Sequence, residues 1–145
     1  MTAESMIDRA RTRFANNGSF SLLQDECIKE VVRRKKVPNL PGIYIIFRSD
    51  DLQRPIYVGK AGTIKTDGSW KIQGIRKRLT MKQDGIYRSK FFPKLMAEKC
   101  ISSLTFFWFV THSQNSNIIP ALAEMELLQA HYEQFGCLPE LNKCV

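Results

Sequence analysis

Two tyrosines stand in short, mirrored contexts, Gly42-Ile43-Tyr44 and Tyr57-Val58-Gly59. A dense run of cations follows: Lys60, then Arg76, Lys77, Arg78 and Lys82. Further on, Glu124 and Glu126 fall within an apolar pattern of helical spacing. These residue types suit phosphodiester hydrolysis. That reaction needs an activated water, compensation for charge growing on the phosphate, and help for the departing oxygen. A guanidinium offers phosphate a fixed fork of donors. A carboxylate is a hard oxygen ligand for Mg²⁺, which takes one or two carboxylates and keeps its waters. A phenol with an ordinary pKa near ~10 serves a water by hydrogen bonding, unless a cation or metal lowers that value.

Each residue also has a plainer reading. Aromatics in strands usually pack, cations in runs usually form a solvated face, and a helical Glu is usually surface charge. The charge distribution alone fits solubility as well as the chemical reading. The chain carries 22 Lys plus Arg against 14 Asp plus Glu, a formal charge of +8. Between Arg54 and Lys99 there are twelve basic and three acidic residues, whereas after residue 115 there are one Lys and four Glu. A basic centre suits a polyanion, because neutralised phosphates release condensed counterions. Cys27, Cys100, Cys137 and Cys144 form no CxxC pair, and only His112 and His131 could complete a metal set. Buried free thiols in a reducing compartment are expected rather than a zinc site. No stretch approaches the ~20 apolar residues that cross a bilayer, and the charged N-terminus is not a signal peptide. A cytoplasmic protein is expected, with no membrane partner.

The positioning elements follow from local pattern. Ala3 to Phe14 suits a short helix, with a turn at Asn16-Asn17-Gly18. Ser21 is placed to cap a second helix running to Val32, and Pro38 and Pro41 end the helical part. This predicts an N-terminal helical extension over 1–40 and a main domain over 41–145. Ile43 to Phe47 and Pro55 to Val58 read as a strand hairpin with a longer loop. Gly74 to Gln83 reads as a basic helix, with Ile75 and Leu79 on one face. Ile101 to Val110 reads as a central strand. The last helix has Asn117 or a neighbour as cap and Pro120 in its first turn; Leu122, Met125, Leu128 and Tyr132 mark its apolar face, and Gly136 ends it. The sum is a small α/β domain, a three-stranded antiparallel sheet flanked by helices.

Pro41-Gly42-Ile43-Tyr44, Ile56-Tyr57-Val58-Gly59-Lys60-Ala61 and Ile75-Arg76-Lys77-Arg78-Leu79, in that order, resemble the core of the GIY-YIG nucleases. The resemblance spans residues 41 to 142 and continues with Glu124, which Leu127 and Leu128 follow at the matching spacing. It ends with Asn142 in the Pro139-Glu140-Leu141-Asn142 tail. It implies a metal-dependent endonuclease with Tyr44, Tyr57, Arg78, Glu124 and Asn142 catalytic. Glu124 would be the metal ligand, the first tyrosine would help activate water, and Lys60, Arg76, Lys77 and Lys82 would contact substrate. The implied cofactor is Mg²⁺, with Mn²⁺ as substitute. The implied partner is DNA, with RNA an alternative substrate and homodimerisation a route to specificity. The alternative reading is a nucleic-acid-binding module on the same scaffold that has lost catalysis. Two departures stand out. The segment from Gly62 to Gln73 lengthens the link before the arginine helix, and Lys82 stands one turn after Arg78, where some members place His or Tyr. His131, two turns after Glu124, is expected to be structural.

Overall fold

The computed structural model describes residues 3–71, 73–114 and 116–145. Five helices and a four-stranded antiparallel sheet form its frame: α1 (Ala3–Arg13), β1 (Asn17–Leu23), α2 (Ile28–Arg34), β2 (Gly42–Arg48), β3 (Tyr57–Ala61), α3 (Ile75–Arg78), α4 (Arg88–Glu98), β4 (Ser103–Val110) and α5 (Pro120–Phe135). The strand order is β1-β4-β2-β3. Six of the seven residues of β2 are buried. This near-continuous apolar run is what a strand covered on both faces requires.

Alternation divides the sheet residues between two cores. Tyr44, Ile46, Leu104, Phe106 and Trp108 meet α2, α3 and α4 through Val31, Val32, Ile75, Phe92 and Met96. Ile43, Ile45, Phe47, Phe107 and Phe109 meet α1 and α5 through Met6, Ile7, Ala10, Ala123 and Leu128. The result is a three-layer α/β/α arrangement. Each large apolar side chain sealed in this way contributes about 1.5–3 kcal/mol of transfer free energy.

The sheet has one strand more than expected. Ser21 to Leu23, read above as the start of a helix, belong to β1 and pair with Thr105 to Ser103 of β4. Period-two alternation explains the outcome: Phe20 and Leu22 are buried while Ser19 and Ser21 are exposed. Phe20 stacks on Phe106 at 4.7 Å. Helix α2 therefore starts only at Ile28, and residues 1–40 supply an edge strand as well as helices.

The expected basic helix is also shorter, ending at Arg78. Asp84 and Gly85 both have positive φ, 52° and 80°. That is the Asp-Gly geometry of a two-residue hairpin turn, and it joins Lys82–Gln83 to Ile86–Tyr87. Helix α4 follows directly, a segment to which sequence patterning assigned no element. Part of the Gly62–Gln73 link forms a small hairpin, Thr63–Ile64 with Trp70–Lys71, and Ile72 lies outside the described residues.

Helix α5 ends at Gly136 in the left-handed conformation, φ 74°, as expected. Its buried face is rotated from the expected one. Leu128 is buried, but Leu122, Met125 and Tyr132 are exposed, and Ala123 and His131 are buried in their place. The small Ala123 lets α5 approach the sheet closely. All four cysteines are free, and Cys27, Cys100 and Cys144 are exposed rather than buried. They stand at element ends and in the tail, where no core reaches them. No helix among the described residues is long and apolar enough to cross a membrane.

Candidate active site

Tyr44 lies between Gly59 of β3 and Trp108 of β4. Its ring crosses directly over Gly59. A Cβ there would fall 2.4 Å from Tyr44 Cζ and 2.6 Å from its hydroxyl oxygen. Glycine at 59 is thus the space that the Tyr44 side chain occupies, and this ties the two tripeptide motifs together sterically. Tyr57, on the same face, has its ring centroid 6.0 Å from that of Tyr44.

The two phenols differ in access. Tyr44 is fully buried, whereas Tyr57 is half-buried. Burial pushes the Tyr57 hydroxyl up to about 12, helped by Tyr44 and opposed by the charges of Arg88 and Arg78. Tyr57 therefore holds its proton at neutral pH.

Arg78 closes α3 and is half-buried, its charge felt by both Tyr57 and Glu124. Its Nε–H is buried with no hydrogen-bond partner among the described residues. A buried orphan donor costs about 1–3 kcal/mol. Glu124 comes from α5, on the opposite face of the sheet. Burial raises its carboxyl above the ordinary value of 4.5, against the pull of Lys60 and Arg78. Among the described residues it has electrostatic neighbours but no hydrogen bond or ion pair within 4 Å. Its rival Glu126 is committed elsewhere, to an ion pair with Arg13 of α1. Two faces of the sheet thus meet around the β3 edge, where Arg78 is within electrostatic reach of both Tyr57 and Glu124, and Lys60 is within reach of Glu124.

Asn142 has a different task. Its Nδ2 donates to Val58 O at 2.8 Å and its Oδ1 accepts from Val58 N at 2.9 Å. Leu141 N also donates to Ile56 O. The tail thereby covers the outer edge of β3, which would otherwise present unpaired backbone groups. The Asn142 amide is spent on the backbone that carries Tyr57. Arg76, Lys77 and Lys82 are exposed, and Lys82 Nζ lies 5.2 Å from the centre of the Tyr87 ring. His131 is fully buried, and its Nδ1 bonds the Cys137 carbonyl at 2.7 Å.

Two side chains escaped the sequence reading. Arg88, the first residue of α4, is 1% exposed and reaches Tyr44; Gln83 supports it. No periodicity or motif marks either, because their partners are distant in the chain or presented by the Asp84-Gly85 turn.

Among the described residues no cluster of three or more His, Cys, Asp or Glu could hold a metal. One half-buried carboxylate without a partner fits Mg²⁺, which binds through a single carboxylate and retains water. Clefts of about 740 Å³ and 760 Å³ lie elsewhere, one between α1 and α5 and the other beside Trp70 and His112. Neither is lined by the tyrosines, Arg78 or Glu124. In comparison with known proteins, no family model, no curated protein and no solved structure matches this chain.

Proposed function

We propose that this protein is a metal-dependent endonuclease of the GIY-YIG type, hydrolysing DNA phosphodiesters with one Mg²⁺. The observation that carries the proposal is the unpartnered Nε–H of Arg78, grouped with Tyr57, Lys60 and an unpaired Glu124. An acceptor-poor, cation-rich cluster beside a free carboxylate suits a phosphate and a metal together.

Glu124 would hold the metal, which when bound supplies Lewis-acid polarisation and a more acidic water. Arg78 takes up charge on the phosphate oxygens through its donor fork. Tyr57, protonated at neutral pH, orients a water or a phosphate oxygen by hydrogen bonding. Lys60, exposed within reach of Glu124, draws in the polyanion backbone. Tyr44, fully buried, acts through Tyr57 rather than on solvent. Asn142 keeps β3 in place.

Incubating the purified protein with plasmid, branched DNA and RNA in Mg²⁺ or Mn²⁺ tests this. DNA nicking that EDTA stops and Glu124→Ala abolishes is expected. Equal cleavage by Glu124→Ala would overturn the site. The complete burial of Tyr44 favours one second reading, a binding module without catalysis. Salt-sensitive DNA binding without cleavage in either metal would select it.

A further inference from the structure

Arg88 is almost completely buried, and none of the ion pairs among the described residues includes it. Its partners are all neutral. Nη1 donates to Arg78 O at 2.6 Å and to Lys82 O at 3.3 Å, Nε to Gln83 Oε1 at 3.2 Å, and Nη2 to the Tyr44 hydroxyl at 3.2 Å. It also begins a helix, where the macrodipole disfavours a cation. A buried charge without a counter-ion is expensive, and apolar residues of similar volume often serve stability better. Packing alone is therefore a poor account of this side chain.

Its geometry suggests what it does. Arginine has no acceptor, so in its bond with Tyr44 the phenol oxygen must accept. The one proton of Tyr44 then points away from Arg88; beside it lies Tyr57, whose own hydroxyl is the donor toward Tyr44, since that interaction raises the Tyr57 value. The same guanidinium grips the carbonyl of Arg78, the residue whose own side chain lacks a partner. Lys82, four residues after Arg78 and on the hairpin rather than the helix, is exposed and lies over Tyr87. The cation that reaches the tyrosines comes instead from Arg88.

We propose that Arg88 is a positioning residue for phosphodiester hydrolysis: it fixes the direction of the Tyr44 hydroxyl and locks Tyr44 to the carbonyl of Arg78. Its uncompensated charge prepares the cluster for an anion. The proposal rests on the nuclease reading above. Tyr44 and Tyr57 are the titratable groups facing Arg88, with Arg78 the nearby cation.

A double-mutant cycle decides it, with kcat and KM on plasmid DNA in Mg²⁺ and melting temperature measured on every variant. Arg88→Met should lower kcat about 100-fold, the scale for losing preorganised donors, with KM changed less than about threefold. Arg88→Lys, which keeps a charge and donors, should recover about tenfold of that loss. In a Tyr44→Phe background, either change should cost less than about twofold more, because the two residues act as a unit. If Arg88→Met fails to fold, Arg88→Lys completes the cycle. The Tyr44 ¹³Cζ NMR shift should move in Arg88→Lys, a readout that needs no cleavage. Additive losses, or losses that follow melting temperature alone, overturn the role of Arg88. No cleavage by the wild type overturns the nuclease reading, and an unmoved ¹³Cζ shift then removes the Arg88–Tyr44 bond as well.

Discussion

The two faces of the sheet each bury one basic nitrogen side chain, Arg88 on the side of α2–α4 and His131 in α5 on the other. They meet burial in opposite ways. Arginine cannot shed its proton in a protein, so Arg88 is surrounded by carbonyl, amide and phenol oxygens that accept from it. Histidine can. Burial lowers the pKa of His131, and its Nδ1–H donates to Cys137 O, leaving Nε2 bare with no partner. The first solution builds a permanently charged, hydrogen-bonded cluster next to Tyr44, Tyr57 and Arg78. The second keeps an imidazole whose neutral form burial favours, packed against Phe135 and bonded to the Cys137 carbonyl.

This contrast can be broken at several points, and the largest effect is expected at Glu124. Glu124→Gln should lower Mg²⁺-dependent cleavage at least about 100-fold, or about 2.7 kcal/mol of transition-state stabilisation. The same change should raise the melting temperature at neutral pH. The raised carboxyl pKa means that the neutral form is the one the fold favours, so its contribution is present below 4.5 and lost as pH rises through the folded value. The gain should therefore vanish near pH 4, and scanning calorimetry across pH checks it. Mg²⁺ should raise the melting temperature of the wild type and leave Glu124→Gln unchanged.

Gly59→Ala comes next. A methyl group there collides with the Tyr44 ring at 2.4 Å, and overpacking of this kind costs about 1–3 kcal/mol. Urea titration should show that loss, and cleavage should fall further than stability alone explains because Tyr44 and Tyr57 move. Asn142→Ala removes two hydrogen bonds to Val58 and should cost about 1–2 kcal/mol. Its cleavage should fall only as far as the disorder of β3 requires.

The smallest effect concerns pH and His131. Its folded pKa lies below the ordinary 6.5. Its contribution is present above pH 6.5 and is lost as pH falls through the folded value, where the imidazole must charge inside the core. His131→Gln should flatten the stability profile just below pH 6.5, measured by thermal melts in a buffer series.

The β2–β3 hairpin, the long strand ending at Val110 and the α5 stop at Gly136 were legible because each is written locally, in β-branched runs or a left-handed glycine. The pairing of Tyr44 with Gly59 was half legible: both residues stood out, but not that one fills the other's space. Strand β1 was misread because Leu22-Leu23 suits a helix as well as a strand, and only the exposed edge of β4 decided between them. The buried face of α5 was misjudged for a related reason. Leu122, Met125 and Tyr132 have helical spacing, yet the close approach made available by Ala123 turned a neighbouring stripe inward. The three exposed cysteines likewise follow from where the elements end rather than from side-chain character.

The chain by itself determined its α/β class, its basic centre and the ordered series Tyr44, Tyr57, Arg78, Glu124 and Asn142, because composition and local spacing survive without tertiary contacts. The tertiary structure alone decided that Tyr44 is buried and Tyr57 half-buried, that Asn142 fastens β3, and that Arg88 rather than Lys82 reaches the tyrosines. Those outcomes depend on which surfaces exclude water together and on hydrogen bonds between residues far apart in the chain, such as Arg88 and Tyr44.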